Sequence, residues 1–368
     1  MLVLHIIDSG GMYGAEVMLL NLVREQCSLG IKPVIASIGS KGCAEKAIEK
    51  EAYRQNIDVH VFRMLPGPNF IGAKQILKYA HENDVDLLHS HGYKGNILFG
   101  FIPKKIRRLP IVTTVHGWTS TSGFSKLRIY EWLDAISLRY MDAVVLVNKE
   151  MLKHQNIAKQ NSSNVYVINN GIDLKEKNNL PCDTYPWCTG TGIKIVAVGR
   201  LSPEKGFANL LEAMSIVVQQ GIDAHLTLLG EGGLRDKLER QIVRLELEDR
   251  VAMPGFIENA SQFFSCFDLL VMPSLTEGLP ITLLEAMRAK LPIVASSVGG
   301  IPDVLEDGVG GILVQPGNVK ELAAAITKLV SSLSLRKQLA TNSYFVFKQN
   351  YSAFQMAQEY IKLYTDIL

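Results

Sequence analysis

The chain has 368 residues, 47% of them apolar and 20% charged, with a formal net charge of +2; that is length for two ordinary domains, and the balance excludes a disordered chain. No apolar run approaches the roughly 18 residues of a transmembrane helix, and the five cysteines show no CxxC spacing, which argues against a zinc site or a disulfide framework and for reduced thiols in a cytoplasmic protein. Charge is divided unevenly: residues 1–175 hold 21 Lys/Arg against 15 Asp/Glu, or +6, and the remainder 17 against 21, or −4, so the first part is the expected docking surface for an anionic partner, while no aromatic-interleaved basic stripe points to nucleic acid.

The opening MLVLHIID carries no basic leader and meets an acid at Asp8, so it reads as a first strand and not as a signal peptide. The loop DSGGMYGAE then places Gly10, Gly11 and Gly14 before the helix AEVMLLNLVREQCSLG. Backbone amides and the helix dipole suit an anion there, although a glycine turn that only permits tight packing is equally consistent with the residues. Met12 and Ala15 stand where a GxGxxG fingerprint requires glycine, which disfavours a nicotinamide dinucleotide. Further strands are expected at PVIASIG, VHVF, DLLHSH, IVTTVHG, AVVLVN and VYVIN, separated by stretches of helical period, the pattern of a parallel sheet with crossover helices. His89 and His91 alternate along one of these strands with no third ligand in view, and read as packing or cleft lining. The Asp84–Asp86 stretch DVD precedes its strand, which puts it at the end away from a ligand cleft. In FGFIPKKIRRLP, residues 99–110, Phe99, Phe101, Ile102 and Ile106 interleave with Lys104, Lys105, Arg107 and Arg108. That suits shallow contact with anionic lipid at the inner face of a membrane, or a solvated turn.

The polar stretch KEKNNLPCDTYPWCTGTG, from Lys175 to Gly192, reads as a linker. Beyond it IKIVAVG, AHLTLLG, VAMPG, LLVMPS, PIVASS and GILV repeat the strand pattern, and SAFQMAQEYIKLYTDIL closes the chain as a helix with no strand after it. The expected organisation is two doubly wound α/β domains, 1–175 and 176–351, with a ligand cleft between them. In VGRLSPEKGF, Arg200 and Lys205 flank a turn before a helix near Gly206; two cations and a helix start could neutralise a diphosphate without a metal, or form a solvated basic turn. In EGLPITLLE, Glu277 stands in a loop, Gly278 admits a close ligand, Pro280 suits the first position of a helix from Ile281 to about Lys290, and Glu285 lies one turn inside it. Carboxylates at two depths suit two different diols, such as a sugar and a ribose.

VGRLSPEKG, PSLTEGLPITLLEAMRAKLPIVASSVGGIPDVLEDGVGGILV and the NNGID of Asn169–Asp173 together resemble the GT-B retaining glycosyltransferases of family 4, the group 1 glycosyltransferases. The likeness runs over nearly the whole chain, and the two glutamates of EGLPITLLE are its most specific mark. It implies a C-terminal domain that binds a nucleotide-diphosphate sugar and an N-terminal domain that binds a glycan, lipid-linked or small-molecule acceptor, rejoined by the last helix, 352–368. By resemblance Arg200 and Lys205 hold the diphosphate, helped by amides near Gly11 and Gly14. Glu285 binds the ribose, Glu277 contacts the transferred sugar with the backbone of Gly278 and Leu279, and the backbone around Phe256 and Ile257 cups the base. His116, in TTVHGW, matches the family histidine facing the donor sugar; many relatives have aspartate where this chain has Gly117. On its residues alone, one histidine of eight at a strand end reads as structural. The implied chemistry is metal-independent hexosyl transfer with retention, the departing phosphate helping to deprotonate the acceptor. An epimerase or phosphorylase of the same fold, or a catalytically silent partner subunit, are the alternatives.

Overall fold

The structure, a computed structural model, describes residues 1–65, 67, 69–117, 126–158, 162–174 and 192–368. The linker expected over 175–192, Gly192 excepted, and most of the loop GWTSTSGFSK lie outside the described residues. All thirteen strand segments read from the sequence are strands, arranged in two parallel sheets. The chain divides into two units, Met1–Ile172 with Ser352–Leu368, and Asp173–Tyr351.

In the first unit β1 (Leu2–Ile7), β2 (Lys32–Ser40), β3 (Val59–Met64), β4 (Leu87–His91), β5 (Ile111–Val115), β6 (Ala143–Leu146) and β7 (Val165–Val167) lie in the order β3-β2-β1-β4-β5-β6-β7. The register sets Leu4 beside Val34 on one side and Leu88 on the other. Every residue of β4, β5 and β6 is buried, the run expected when helices cover both faces of a parallel sheet. One cover is the chain's last helix, Ala353–Ile367. Ser352 starts it by accepting the Gln355 amide at 3.2 Å, a standard cap. Its period then lays Met356, Ala357, Tyr360, Leu363 and Tyr364 against Val3, Leu87, Val112 and Ala143. Each large side chain so buried contributes about 1.5–3 kcal/mol, which is what holds so distant a segment to this sheet. Asp86 sits at the amino end of β4, where its carboxylate accepts the Leu2 amide at 2.7 Å.

The basic-apolar stretch 99–110 is partly core. Phe99 is fully buried, and Arg107 is 1% exposed, its guanidinium donating to the carbonyls of Leu109 and Phe99 and pairing with Asp142 at 3.0 Å. A buried guanidinium persists only when paired and hydrogen-bonded in this way. Of the eight named apolar and basic residues only Ile106, Lys104, Lys105 and Arg108 are exposed, which corrects the picture of eight surface residues. Among the described residues no helix is long and apolar enough to cross a membrane.

In the second unit β8 (Ile193–Val198), β9 (Ala224–Leu229), β10 (Val251–Gly255), β11 (Leu269–Met272), β12 (Ile293–Ser296) and β13 (Ile312–Val314) lie in the order β10-β9-β8-β11-β12-β13. Ile195, Leu210, Met214, Leu226, Leu269 and Leu322 belong to its core. The order reverses between β8 and β11, which makes the carboxyl ends of those two strands the switch point of the sheet. Cys27 and Cys43 are free, but Cys266 is disulfide-bonded, which corrects the expectation of reduced thiols throughout.

Candidate functional site

At the switch point of the second sheet three loops are tied to one another. The Leu275 amide donates to the Glu204 carbonyl at 2.8 Å, joining the loop after β11 to the loop after β8. Gly206 closes the β8 loop with φ +67, and a Cβ there would stand 2.0 Å from the Pro273 carbonyl oxygen. Only glycine allows both the left-handed backbone and that approach. The loop after β12 joins through Gly300, whose amide donates to the Gly278 carbonyl at 2.8 Å.

These ties bring together the charged residues singled out in the sequence. Glu277 Oε1 accepts from Lys205 Nζ at 2.5 Å and from Ser274 Oγ at 2.8 Å; the side chains are 10% and 24% exposed for Glu277 and Lys205. Arg200 reaches Glu204 at 2.7 Å and is 71% exposed. Hydrogen bonds from Ser202, from the backbone and from Arg200 hold the Glu204 carboxyl down at about 2. Each expected phosphate-binding cation therefore already faces a carboxylate, and Arg200, Glu204, Lys205 and Glu277 sum to zero. Exposed pairs such as Arg200–Glu204 are worth about 0–1 kcal/mol, so its guanidinium can turn to a phosphate at small cost.

Pro280 is the N-cap of the helix Ile281–Arg288 and not its first residue, with φ −75 and ψ 129. Extended backbone at the cap suits proline, which has no amide hydrogen to leave unpaired. Leu279 is buried beside it. Glu285 lies inside the helix and accepts from Ser261 Oγ at 3.0 Å. Ser261 belongs to a turn of 3-10 helix, Ala260–Cys266, that follows Phe256 and Ile257 at the end of β10. Phe256 is 71% exposed. The two glutamates thus face different neighbours: Glu277 the Lys205 loop, and Glu285 the segment that carries Phe256.

In the first unit Gly11 donates its amide to Ser9 Oγ at 3.3 Å, and the Tyr13 amide is taken by Glu16 at 3.1 Å. The helix that opens at Gly14 therefore has its own buried carboxylate in its first turn, which opposes a further anion at that end.

His116 follows β5, and around it lies a network that the sequence did not disclose. His5 Nε2 is 2.8 Å from Gln26 Oε1. A carbonyl oxygen only accepts, so Nε2 carries the proton. Burial pushes His5 down to about 4, against the Gln26 hydrogen bond, so the ring is neutral at pH 7 and its Nδ1 accepts from His91 Nε2 at 3.0 Å. Gln26 Nε2 donates to Tyr364 Oη at 3.3 Å, whose hydroxyl then donates to His89 Nδ1 at 2.6 Å. His89 Nε2 continues to Thr114 at 2.8 Å, and Thr114 to Tyr360 at 2.7 Å. This assignment leaves His91 Nδ1 as a bare acceptor; it has no hydrogen-bond partner, and neither has His116 Nε2. The two rings are 5.8 Å apart. His116 is half-buried with Nε2 enclosed, and desolvation lowers it to about 4.

A third imidazole does stand beside His89 and His91, since one nitrogen from each and one from His5 lie within 4.8 Å of one another; the expectation of no third ligand is corrected. Both nitrogens of His5 and of His89, and Nε2 of His91, already have hydrogen-bond partners. Apart from His91 Nδ1, the cluster is thus a hydrogen-bonded polar core, whose bonds metal ligation would have to break.

Comparison with known proteins agrees with this architecture. Residues 189–345 match the family described as glycosyl transferases group 1, and residues 12–176 match glycosyltransferase family 4. The chain is 27% identical over 339 residues to an uncharacterized glycosyltransferase of Methanocaldococcus jannaschii, covering 84% of this chain and 85% of that one. It is 25% identical over 315 residues to a capsular polysaccharide biosynthesis glycosyltransferase of Staphylococcus aureus, covering 81% and 82%. The crystal structure of Anabaena HepE in complex with UDP-glucose superposes with a TM-score of 0.83 at 23% identity, covering 100% of both chains.

Proposed function

The chain belongs to the group 1 glycosyltransferases of GT-B fold, and from that premise we propose that it moves a hexose-type sugar, with retention, from a nucleotide-diphosphate sugar to a glycan, lipid-linked or small-molecule acceptor in polysaccharide or glycoconjugate biosynthesis. The observation that carries this reading is the convergence of Lys205, Glu277 and the Arg200–Glu204 pair at the switch point of the second sheet. Arg200 turns from Glu204 to the diphosphate. Lys205, already beside Glu277, then stands between phosphate and sugar, and Glu277 accepts from sugar hydroxyls. Glu285 takes the ribose, with Phe256 and Ile257 flanking the base. Gly278 and Leu279 border the sugar, and His116 keeps the donor-sugar assignment that the family resemblance gives it, whereas Glu16 in the first turn after Gly14 weighs against the phosphate role expected of Gly11 and Gly14. Leaving-group charge is stabilised by cations and helix amides, with no metal and no cofactor. The protein works in the cytoplasm, and the Lys104–Arg108 turn offers it a shallow hold on an anionic membrane.

A panel of nucleotide-diphosphate sugars tests the reading without an acceptor. Saturating donor at 100 times its dissociation constant raises stability by about 2.7 kcal/mol, and slow release of free nucleotide marks a transferase. An epimerised sugar would replace the proposal with an epimerase, and failure to bind any nucleotide would leave a silent partner subunit.

A further inference from the structure

The first sheet has its own switch point, between β1 and β4, and a cavity of about 210 Å³ opens there, wholly within the first unit. Its lining comes from the carboxyl ends of strands: Asp8 follows β1, Ser40 ends β2, and Tyr93 and Lys94 follow β4. Tyr130 also lines it, packed beside Tyr93 with the ring centroids 5.8 Å apart and the planes inclined by 37°, so the two rings form one aromatic wall. Asp8 is shared by two ammonium groups, Lys46 Nζ at 2.5 Å and Lys94 Nζ at 2.7 Å. Burial alone would raise the Asp8 carboxyl, but the hydrogen bonds from Lys46 and Lys94 outweigh it and hold it below the usual range. One carboxylate against two lysines leaves a single positive charge at the wall of the cavity. The lysine side chains are only 12% and 15% exposed, so that charge is weakly screened.

Two aromatic rings, a hydrogen-bonding carboxylate and one uncompensated cation within one small cavity select a particular ligand. The rings pack on the C–H face of a sugar, the carboxylate accepts from its hydroxyls, and the surplus ammonium charge requires an anion on the same molecule. We infer that this cavity is the acceptor subsite and that the acceptor is a monosaccharide bearing a phosphate, as a free sugar phosphate or as the head of a diphospholipid. The inference rests on the transferase reading above and adds to it the chemistry of the acceptor. It also gives the first part of the chain, with its +6 balance, a specific anionic partner.

The test is calorimetric titration of the intact protein with glucose, glucose 1-phosphate and a short-chain polyprenyl diphosphoglucose, each repeated on Lys94→Met and Tyr130→Ala, with UDP titrated into every variant. The expected result is that glucose 1-phosphate binds at least about tenfold more tightly than glucose, that Lys94→Met removes most of that preference, and that Tyr130→Ala weakens all three probes, while UDP affinity is unchanged. Tighter binding of the diphospholipid than of the free phosphate names the lipid as the source. Equal binding names the soluble sugar phosphate. If UDP binds but glucose and glucose 1-phosphate are not distinguished, or if Lys94→Met keeps the preference, the subsite is wrong and the transferase reading stands. If no nucleotide or nucleotide sugar binds, the transferase reading fails and the acceptor assignment falls with it.

Discussion

Lowering the pH from 7 to 5 should destabilise the first unit through its buried imidazoles, and the sign follows from which state takes up protons. Free histidine titrates near 6.5, and burial holds His5 down at about 4. Between those values the unfolded chain binds a proton that the folded chain refuses, so stability is fully present above pH 6.5 and is lost as the pH falls toward 4. At pH 5 the unfolded side chain sits about 1.5 pH units below its own pKa, which favours unfolding by about 2 kcal/mol for His5 alone. His89 and His91 are lowered well below 6.5, burial being the largest cause and repulsion from a neighbouring imidazole the next, His5 for His89 and His89 for His91, so they act in the same direction. The assay is urea unfolding followed by far-ultraviolet circular dichroism at pH 7, 6 and 5, on the wild type and on His5→Gln. Glutamine at position 5 cannot titrate, and the variant should lose about 2 kcal/mol less than the wild type over this range. A wild-type change below about 0.5 kcal/mol, or identical slopes for the two proteins, would refute the neutral, hydrogen-bonded cluster. A metal held by His5, His89 and His91 would show itself in the same experiment through a chelator-dependent midpoint.

Three further outcomes follow from the donor side. Glu285→Ala should weaken both nucleotide diphosphate and intact donor, whereas Glu277→Ala should leave nucleotide diphosphate affinity nearly intact and lower turnover by about 10- to 1,000-fold; titration calorimetry beside turnover decides it, and equal loss of nucleotide affinity in both would mean that the two carboxylates do not divide sugar from ribose. Gly206→Ala should cost about 2 kcal/mol or more, because φ +67 is strained for alanine and its Cβ would stand 2.0 Å from the Pro273 oxygen; a thermal melt unchanged from wild type contradicts that geometry. Activity should persist in excess chelator, and complete loss restored by magnesium or manganese would overturn the charge account of the leaving-group site.

The strands were legible because parallel sheets covered on both faces write themselves as short, nearly continuous apolar runs. β4 and β5 are buried at every position, and no alternation or turn chemistry is needed to find them. Glu277 and Lys205 were legible as chemistry-bearing residues at strand ends, but not as a pair. They are 72 residues apart, and nothing local says that the loops after β8 and β11 are pinned together at Gly206. The histidine network was illegible for the same reason at longer range. Its tyrosines lie 246 and 275 residues from the Thr114 and His89 they bond. On the final helix they have the spacing of ordinary core residues, and only the packing of that helix on the first sheet turns two apolar-face positions into members of a hydrogen-bond network. Burial of Arg107 escaped notice because its partner Asp142, like its carbonyl acceptors, is recognised only once the turn is folded.

The two switch points differ in charge, and the difference suits their proposed tasks. At the donor side two cations face two carboxylates, so the resting site is neutral and the Arg200–Glu204 pair is exposed and cheap to open. A diphosphate leaving group gains negative charge only as the glycosidic bond breaks, so cations that exchange a carboxylate for phosphate at that moment stabilise the transition state more than the bound donor. A site left strongly positive would instead hold the product nucleotide tightly and slow its release. At the first sheet's switch point Lys46 and Lys94, both largely buried, share the Asp8 carboxylate and leave a fixed surplus. An acceptor phosphate keeps the same charge before and after transfer, so a static charge serves for recognition there. Neutral but exchangeable on one side, positive and held on the other, the two arrangements separate charge stabilisation that must change during reaction from binding that need not.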